Sequence, residues 1–137
     1  MSGPVSSQDG QMVSRVGAII VAAGQSQRFG TDKLFVSLHG KPVLQWTLES
    51  FLATSVIRSI VLVLNQANAA AGHELVRHLG AAARVMLTLG GARRQDSVAA
   101  GLVRLGQEGC EWVVVHDGAR PLVTPGLIEG CLMAARQ

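Results

Sequence analysis

The feature that most constrains the fold of this chain is a regular alternation of short apolar runs with helix-like stretches. The first run, Val16–Ala22, is continuous and rich in β-branched residues, as is typical of a strand buried on both faces of a parallel sheet. Similar runs lie at residues 59–64, 84–88 and 112–116, and helical patterns lie at residues 42–53, 67–79, 95–105 and Pro125–Arg136. Strands that alternate with helices imply right-handed crossovers. We therefore predict an α/β fold with a Rossmann-like, mainly parallel sheet flanked by helices.

Proline and glycine set the expected ends of these helices. Pro42 is suited to the first turn of the first helix, where its missing N–H has no intrahelical partner. Gly80 is expected to end the second helix and Gly106 the third, since glycine readily adopts the left-handed conformation that follows a helix.

The two ends of the chain differ from the alternating part. Residues 1–14 are rich in Ser, Gly and Gln and show no periodicity, so they are predicted to be a flexible leader. The last helical pattern reaches Gln137 without a capping glycine or a proline. We therefore expect residues 15–137 to be the first part of a domain whose C-terminal part is absent.

Composition argues against several classes of function. The net charge is +3, the Lys and Arg residues are scattered and aromatic residues make up 4%, which does not favour a nucleic-acid-binding stripe but fits a phosphate ligand. The longest apolar run is too short to span a bilayer, and no secretory signal precedes it. Cys110 and Cys131 form no CxxC motif and have no histidine at metal-ligand spacing, so reduced thiols and a cytoplasmic location are expected.

In sheets of this type, ligands bind beyond the carboxyl ends of the strands. The loops of interest are therefore residues 24–33, 90–97 and 117–124, whereas the loop after the second strand looks ordinary.

The first loop contains Gly24, Arg28 and Lys33. Gly24 permits backbone angles that other residues avoid, so that successive N–H groups can converge on an anion. Arg28 offers a bidentate guanidinium and Lys33 a compact charge, a combination suited to a triphosphate. The same spacing also fits a glycine turn with two solvated cations.

Two better-known phosphate motifs do not fit this loop. A GxGxxG fingerprint that begins at Gly24 meets Ser26 and Phe29 instead of glycines. A Walker A motif requires a lysine directly after its last glycine, but Thr31 and Asp32 separate Gly30 from the lysine.

The second loop begins with Gly90 and Gly91, which allow the backbone to approach a flat ring closely. In the functional interpretation, Ser97 or the glycine amides contact a base edge or a ribose. In the alternative, Asp96 or Ser97 caps the following helix, and the adjacent arginine pair is solvated.

The third loop carries the sharper signal. Asp117 stands at the tip of a buried strand, where a carboxylate suits Mg²⁺ that also binds phosphate oxygens. Gly118 and Pro121 favour a tight turn, and Arg120 brings an anion-binding group close to the metal. The alternative is an Asx turn with a surface arginine. His116 is expected to be a strand-end residue with a satisfied hydrogen bond.

No Ser-His-Asp or Cys-His pattern indicates a protein nucleophile. A phosphate of the substrate would itself attack, so positioning and charge stabilisation would provide the catalysis.

The segments at residues 22–33, 90–98 and 115–121 together resemble the 2-C-methyl-D-erythritol 4-phosphate cytidylyltransferases of the non-mevalonate isoprenoid pathway. The resemblance spans residues 16–137 and implies a nucleotidyltransferase fold, with residues 15–137 as its nucleotide-binding part. It implies a transferase that joins CTP to methylerythritol phosphate and releases pyrophosphate, with Mg²⁺ as the cofactor.

The resemblance also implies roles for individual residues. Arg28 and Lys33 would be catalytic, binding the triphosphate and stabilising the transition state at the α-phosphorus. Asp117 would hold the metal, and Arg120 would face the acceptor phosphate. The nucleotide would be bound by residues from the first two loops, namely Ala22, Ala23, Gly24, Gly90, Gly91 and Ser97.

The chain departs from the family pattern at several positions. Ser26 stands where a second glycine is usual, and Asp32 stands where proline often precedes the lysine. Family members also continue well past this length, with a dimerisation arm and another phosphate-binding lysine, so a homodimer is expected for the complete protein and this chain alone is expected to be weakly active or inactive. Two alternatives stay open: a ribitol-5-phosphate cytidylyltransferase, which shares the three motifs, and a non-catalytic nucleotide-binding fragment.

Overall fold

The computed structural model describes residues 15–24 and 32–136, which form an α/β unit. Its elements in chain order are β1 (Val16–Ala22), a 3-10 helix (Lys33–Phe35), β2 (Ser37–Leu38), β3 (Lys41–Pro42), α1 (Val43–Leu52), β4 (Ile57–Leu64), α2 (Ala69–His78), β5 (Val85–Leu89), α3 (Arg94–Gly106), β6 (Trp112–Asp117) and α4 (Pro125–Arg136).

The four longer strands of the described residues form one parallel sheet in the order β5-β4-β1-β6. Ala22 pairs with Leu64 of β4, and Val21 pairs with Asp117 of β6, so the strands end at a common edge. The predicted parallel sheet flanked by helices is therefore confirmed. This edge carries the loops that follow β1, β5 and β6.

Alternate residues of β1 explain why its sequence is apolar throughout. Ala18 and Ile20 belong to a core cluster that includes residues of α1, α2 and α4. Ile19 and Val21 point to the opposite face, where Leu105 of α3 packs. A strand covered by helices on both faces keeps no polar side, so the run shows no alternation.

Helix α3 lies close against the sheet because glycine faces the strand. A Cβ built at Gly101 would lie 2.7 Å from Ile19 Cγ2. This close contact sets the distance of α3 from the sheet and, with it, the position of the loop that precedes the helix.

Two predicted helix ends need correction. Pro42 precedes α1 and pairs in β3 instead of lying in the first helical turn. Gly106 does not stop α3 but is its last residue, and the positive φ of 72° belongs to Gly109. By contrast, Gly80 follows α2 with a φ of 64°, as predicted for a helix-ending glycine.

The short hairpin of β2 and β3 was not predicted. His39 and Gly40 connect the two strands with φ values of 52° and 85°, the left-handed angles of a tight two-residue hairpin turn. Strands of two residues are too short to leave a periodic pattern in the sequence.

No described helix is both long enough and apolar enough to cross a bilayer. The predicted flexible leader, residues 1–14, lies outside the described residues.

Candidate functional site

The carboxyl edge of the sheet contains two adjoining cavities of about 240 and 300 Å³. Val21, Gly24 and Asp117 line both of them. The first cavity extends toward α3 and is also lined by Ala23, Gly91, Ala92, Arg93, Arg94 and Ser97. The second extends toward the 3-10 helix and is also lined by Ala22, Lys33, Leu34 and Ala119. The three loops singled out from the sequence therefore meet in one cleft.

On the α3 side, the shape of the cleft depends on two glycines, Gly90 and Gly91, which have no side chain to fill it. A Cβ at Gly90 would lie 2.3 Å from Ser97 Oγ and 2.8 Å from Val63 Cγ1, so Gly90 is a packing position behind the cavity. Gly91 and Ser97 line the cavity itself, and Ser97 is only 2% exposed. The three nucleotide-binding residues predicted in this loop thus divide into one spacer and two that face the cleft.

The helix-capping alternative applies to Asp96 and not to Ser97. Asp96 Oδ2 accepts a hydrogen bond from the Arg93 backbone N at 3.2 Å and forms an ion pair with Arg93 Nε at 3.4 Å. Arg94 is exposed beside them and also lines the cavity. Two arginines, together with the N-terminal end of α3, give this wall a potential that favours anions.

On the β6 side, Asp117 forms the Asx turn that the sequence left open as an alternative. Its Oδ1 accepts from the Ala119 backbone N at 3.0 Å, and its carbonyl accepts from Arg120 N at 3.1 Å. The turn engages one carboxylate oxygen, so the side chain can serve a metal with its remaining lone pairs. Gly118 N donates to Val21 O at 2.9 Å and ties the turn to β1.

Helix α1 anchors this turn from the other side. Thr47 is fully buried, and its Oγ1 donates to Gly118 O at 2.9 Å and lies 3.4 Å from Arg120 O. Ser50 Oγ donates to Val123 O at 2.7 Å. These partners are more than 70 residues apart in sequence, so no local motif reveals them.

Arg120 faces a different space from the other predicted residues. It lines a third cavity of about 480 Å³, together with His116, Pro121 and the apolar side chains that follow. Ala119 lines both this cavity and the second one, so the two are neighbours. His116 Nε2 lies 3.0 Å from Arg120 O, which confirms the expected strand-end histidine with a satisfied hydrogen bond.

Lys33 begins the 3-10 helix and is exposed at the second cavity, which Asp117 also lines. The cation and the carboxylate predicted to bind phosphate and metal thus line the same cavity. Arg28, the other predicted catalytic cation, lies outside the described residues.

The loop after β4 is not ordinary, and that expectation was wrong. Asn65 and Asn68 hydrogen-bond each other reciprocally, with backbone N to side-chain Oδ1 distances of 2.9 and 2.8 Å. Asn65 Nδ2 donates to Ala23 O at 3.1 Å, and Asn68 Nδ2 donates to Ala22 O at 2.8 Å. The only sequence signal is two asparagines, three residues apart, directly after a buried strand.

Gly24 does not show the backbone that its sequence context suggested. Its φ lies outside the left-handed region, and an added Cβ would meet no described atom within 4 Å. Neither local strain nor packing against described residues therefore requires glycine here. Close approach of a ligand to the backbone is one physical reason for a glycine at this position.

In the part of the chain that the structure describes, no group of three His, Cys, Asp or Glu side chains could hold a metal ion. Mg²⁺ does not need such a cage, because it commonly binds one or two carboxylates together with substrate phosphates. Asp117, half-buried with part of its carboxylate uncommitted, fits that donor set.

Comparison with known proteins gives the family of the chain. Residues 16–137 match the family model described as IspD, 2-C-methyl-D-erythritol 4-phosphate cytidylyltransferase. A protein of that name from Dehalococcoides mccartyi is 46% identical over 123 residues, which cover 89% of this chain and 53% of the relative. The chain therefore spans about half the length of the curated relatives it matches.

Solved structures show the same fold. A 4-diphosphocytidyl-2C-methyl-D-erythritol synthase from Anaerococcus prevotii superimposes with a TM-score of 0.80 at 26% identity, covering 91% of this chain and 52% of that one. A CMP:2-keto-3-deoxy-manno-octonic acid synthetase solved with CTP superimposes with a TM-score of 0.68 at 18% identity, covering 90% of this chain and 48% of that one, a likeness of fold alone.

Proposed function

The chain belongs to the 2-C-methyl-D-erythritol 4-phosphate cytidylyltransferase family, and we propose that the protein transfers CMP from CTP to methylerythritol phosphate and releases pyrophosphate in isoprenoid precursor synthesis. The observation that carries the proposal is the single cleft in which Lys33, Asp117 and the glycine-lined wall beside Ser97 meet. A cation, a carboxylate suited to a metal and a space for a flat ring are what a nucleoside triphosphate requires.

We assign the nucleotide to the two adjoining cavities. The base and ribose would lie in the cavity beside Gly91 and Ser97, where the backbone is accessible. The phosphates would extend past Gly24 toward Lys33 in the second cavity. Ala22 and Ala23 border this path at the end of β1.

The reaction needs no protein nucleophile. An oxygen of the acceptor phosphate attacks the α-phosphorus of CTP, a new P–O bond forms, and the bond to the β-phosphate breaks to release pyrophosphate. Lys33, with Arg28 by resemblance, would stabilise the charge that develops on the phosphate oxygens. A Mg²⁺ ion held by Asp117 would supply further charge neutralisation between the phosphates when bound.

The acceptor would approach from the neighbouring cavity that Arg120 lines. A guanidinium there can hold the acceptor phosphate by paired hydrogen bonds. The proposal extends to a homodimer in the complete protein. It also extends to a cytoplasmic location, where unpaired cysteines such as Cys110 and Cys131 are usual.

The direct test is a pyrophosphate-release assay on the complete protein with CTP, Mg²⁺ and a panel of acceptors that includes methylerythritol phosphate and ribitol 5-phosphate. We expect turnover with methylerythritol phosphate and with CTP in preference to ATP or GTP. Preference for ribitol 5-phosphate would assign the acceptor to the alternative, and CTP binding without release of pyrophosphate from any acceptor would indicate a binding module.

The role of Asp117 is tested by Asp117→Asn. Its side-chain oxygen can still accept from Ala119 N, so we expect an unchanged melting temperature. Loss of the carboxylate should weaken Mg²⁺-dependent CTP binding by about tenfold or more, since hard cations prefer charged oxygen ligands. Calorimetric titration with and without Mg²⁺ measures this.

Glu111→Gln, at an exposed carboxylate beside the start of β6, is the matched control and should bind as the wild type does. If Asp117→Asn keeps the full Mg²⁺ dependence, then Asp117 is a turn residue only.

A further inference from the structure

One buried side chain connects the end of β1 to the residue that precedes Lys33. Asn68 Nδ2 donates to Ala22 O at 2.8 Å and to Asp32 Oδ2 at 3.0 Å. Asn68 lies in the loop after β4 and is 4% exposed. It therefore links the end of β1 to a residue near the end of the first loop, ten residues later in the sequence.

The side chain of Asn68 is fully used by these contacts. Its amide nitrogen serves two acceptors, and its Oδ1 accepts from Asn65 N at 2.9 Å. A buried amide with every group paired is fixed in direction, because any rotation would leave a buried polar atom unpaired.

The partner carboxylate is equally committed. Asp32 Oδ1 accepts from Leu34 N at 3.0 Å and caps the 3-10 helix, while its Oδ2 accepts from Asn68. Leu34 is 5% exposed and belongs to the core on the α1 face. Lys33 therefore lies between a residue held by Asn68 and a residue held by the core.

We propose that the Asn68–Asp32 contact is a positioning latch that fixes the backbone of Lys33 at the phosphate side of the cleft. The inference rests on the proposed function for the role of Lys33, but the latch itself is a contact of the described residues. Asn68 lines neither cavity, so its proposed role is to position Lys33 and not to contact the nucleotide.

The need for a latch follows from the chemistry of lysine. Its ammonium is a point charge on a flexible stem, so the position of the backbone decides which phosphate oxygens the charge can reach. A displacement of about 1 Å in a positioned group can lower a rate on the order of a hundredfold. A fixed Asp32 confines the start of the 3-10 helix and limits such displacement.

In the complete protein, the latch predicts a specific kinetic effect for Asn68→Ala. We expect kcat/KM for CTP to fall by about 10- to 100-fold, carried more by kcat than by KM, since Lys33 acts on charge that develops in the transition state. Gln66→Ala removes an exposed amide from the same loop and should change kcat/KM by less than about twofold.

A second variant breaks the same contact from the Asp32 side, so if Asn68→Ala fails to fold, a comparable fall in kcat/KM in Asp32→Asn alone supports the latch and unchanged kinetics overturn it. Asp32 is half-buried, and asparagine has the same shape. The single side-chain oxygen of asparagine cannot replace both carboxylate oxygens, which accept from Leu34 N and from Asn68 Nδ2. In a double-mutant cycle, Asn68→Ala should cost at least about fivefold less in the Asp32→Asn background than in the wild type. Additive effects would overturn the latch.

The last arm does not depend on turnover. Hydrogen exchange of the Leu34 amide in the nucleotide-free protein reports directly on the Asp32 cap, and we expect it to accelerate in Asn68→Ala but not in Gln66→Ala. If the complete wild-type protein shows no CTP-dependent turnover, the proposed function fails while this measurement still decides the latch. Unchanged exchange at Leu34 would overturn the latch even in an active enzyme.

Discussion

The two walls of the cleft are held in different ways. The turn after β6 is fixed by hydrogen bonds from a separate helix, since Thr47 donates to Gly118 O and Ser50 to Val123 O. The loop after β5 has its side-chain hydrogen bonds close by, between Asp96 and Arg93, and is otherwise shaped by tight packing.

This difference matches what each wall has to do. The β6 wall carries Asp117, a charged group whose direction matters, and hydrogen bonds fix direction. The β5 wall carries Gly91 over a buried Ser97, where the shape of a space matters, and close packing fixes shape. The walls should therefore fail differently when altered, one by overpacking and one by loss of a polar contact.

The largest expected effect is on the packed wall. Gly90→Ala would place a Cβ 2.3 Å from Ser97 Oγ and 2.9 Å from Ala23 Cβ. The Ala23 Cβ is fixed to its backbone, so rotation of the Ser97 hydroxyl alone cannot relieve the overlap. We expect a loss of about 3 kcal/mol in the free energy of unfolding, near the upper end for overpacking. Urea denaturation measures the loss, and CTP titration should show weakened binding.

Gly130→Ala is the matched control, because an added Cβ there would meet no atom of the described residues within 4 Å. Gly130 lies in α4, so alanine should stabilise the protein by up to about 1 kcal/mol through helix propensity. Equal effects of the two substitutions would mean that the β5 wall is not tightly packed.

A smaller effect is expected on the hydrogen-bonded wall. Thr47→Val keeps the shape of a fully buried side chain but leaves Gly118 O without its donor. The expected cost is about 1–2 kcal/mol, within the range for an unpaired buried carbonyl. Mg²⁺-dependent CTP binding should weaken as well, because the turn that directs Asp117 loosens.

Thr47→Ser retains the hydroxyl and should restore most of the Mg²⁺-dependent binding, although it loses a buried methyl group. If valine and serine behave alike, the contribution of Thr47 is packing, and the contrast between the two walls disappears.

The sheet and its flanking helices could be predicted because the cause is local. Every residue of Val16–Ala22 is buried, and a strand that is buried on both faces requires apolar residues at every position. The unbroken apolar run was therefore visible in the sequence. The hairpin of β2 and β3 could not be predicted in the same way, since two-residue strands depend on the His39-Gly40 turn more than on any pattern.

The candidate site could be predicted only as far as it depends on short motifs. Short motifs around them identified four residues that the structure brings to one cleft, namely Lys33, Gly91, Ser97 and Asp117. The groups that hold these residues act across long separations, such as the 46 residues between Asn68 and Ala22. Their identity depends on the topology of the sheet, which the sequence around them does not express.

The smallest expected effect concerns the outer side of α1. Gln45 and Lys41 donate to the Glu49 carboxylate at 3.0 and 2.9 Å, and these contacts lower the pKa of Glu49 below its ordinary value of 4.5. A lowered pKa in the folded state gives stability that is present above the ordinary value and is lost as the pH falls through the folded value. Because the side chains of Lys41 and Glu49 are 38% and 35% exposed, we expect only a few tenths of a kcal/mol.

This effect shows whether α1 transmits changes on its outer side to the turn that it anchors. The stability advantage of the wild type over Glu49→Gln should be full at neutral pH and should be lost as the pH falls below the ordinary carboxyl value and through the lowered pKa of Glu49. Glu129→Gln, at an exposed position of α4, corrects for the general loss of a carboxylate. Near neutral pH, Mg²⁺-dependent CTP binding should be the same in Glu49→Gln and the wild type, because the contacts of Thr47 and Ser50 point away from Glu49 into the turn. A weakened affinity in Glu49→Gln would mean that the β6 wall is less rigidly held than its hydrogen bonds indicate.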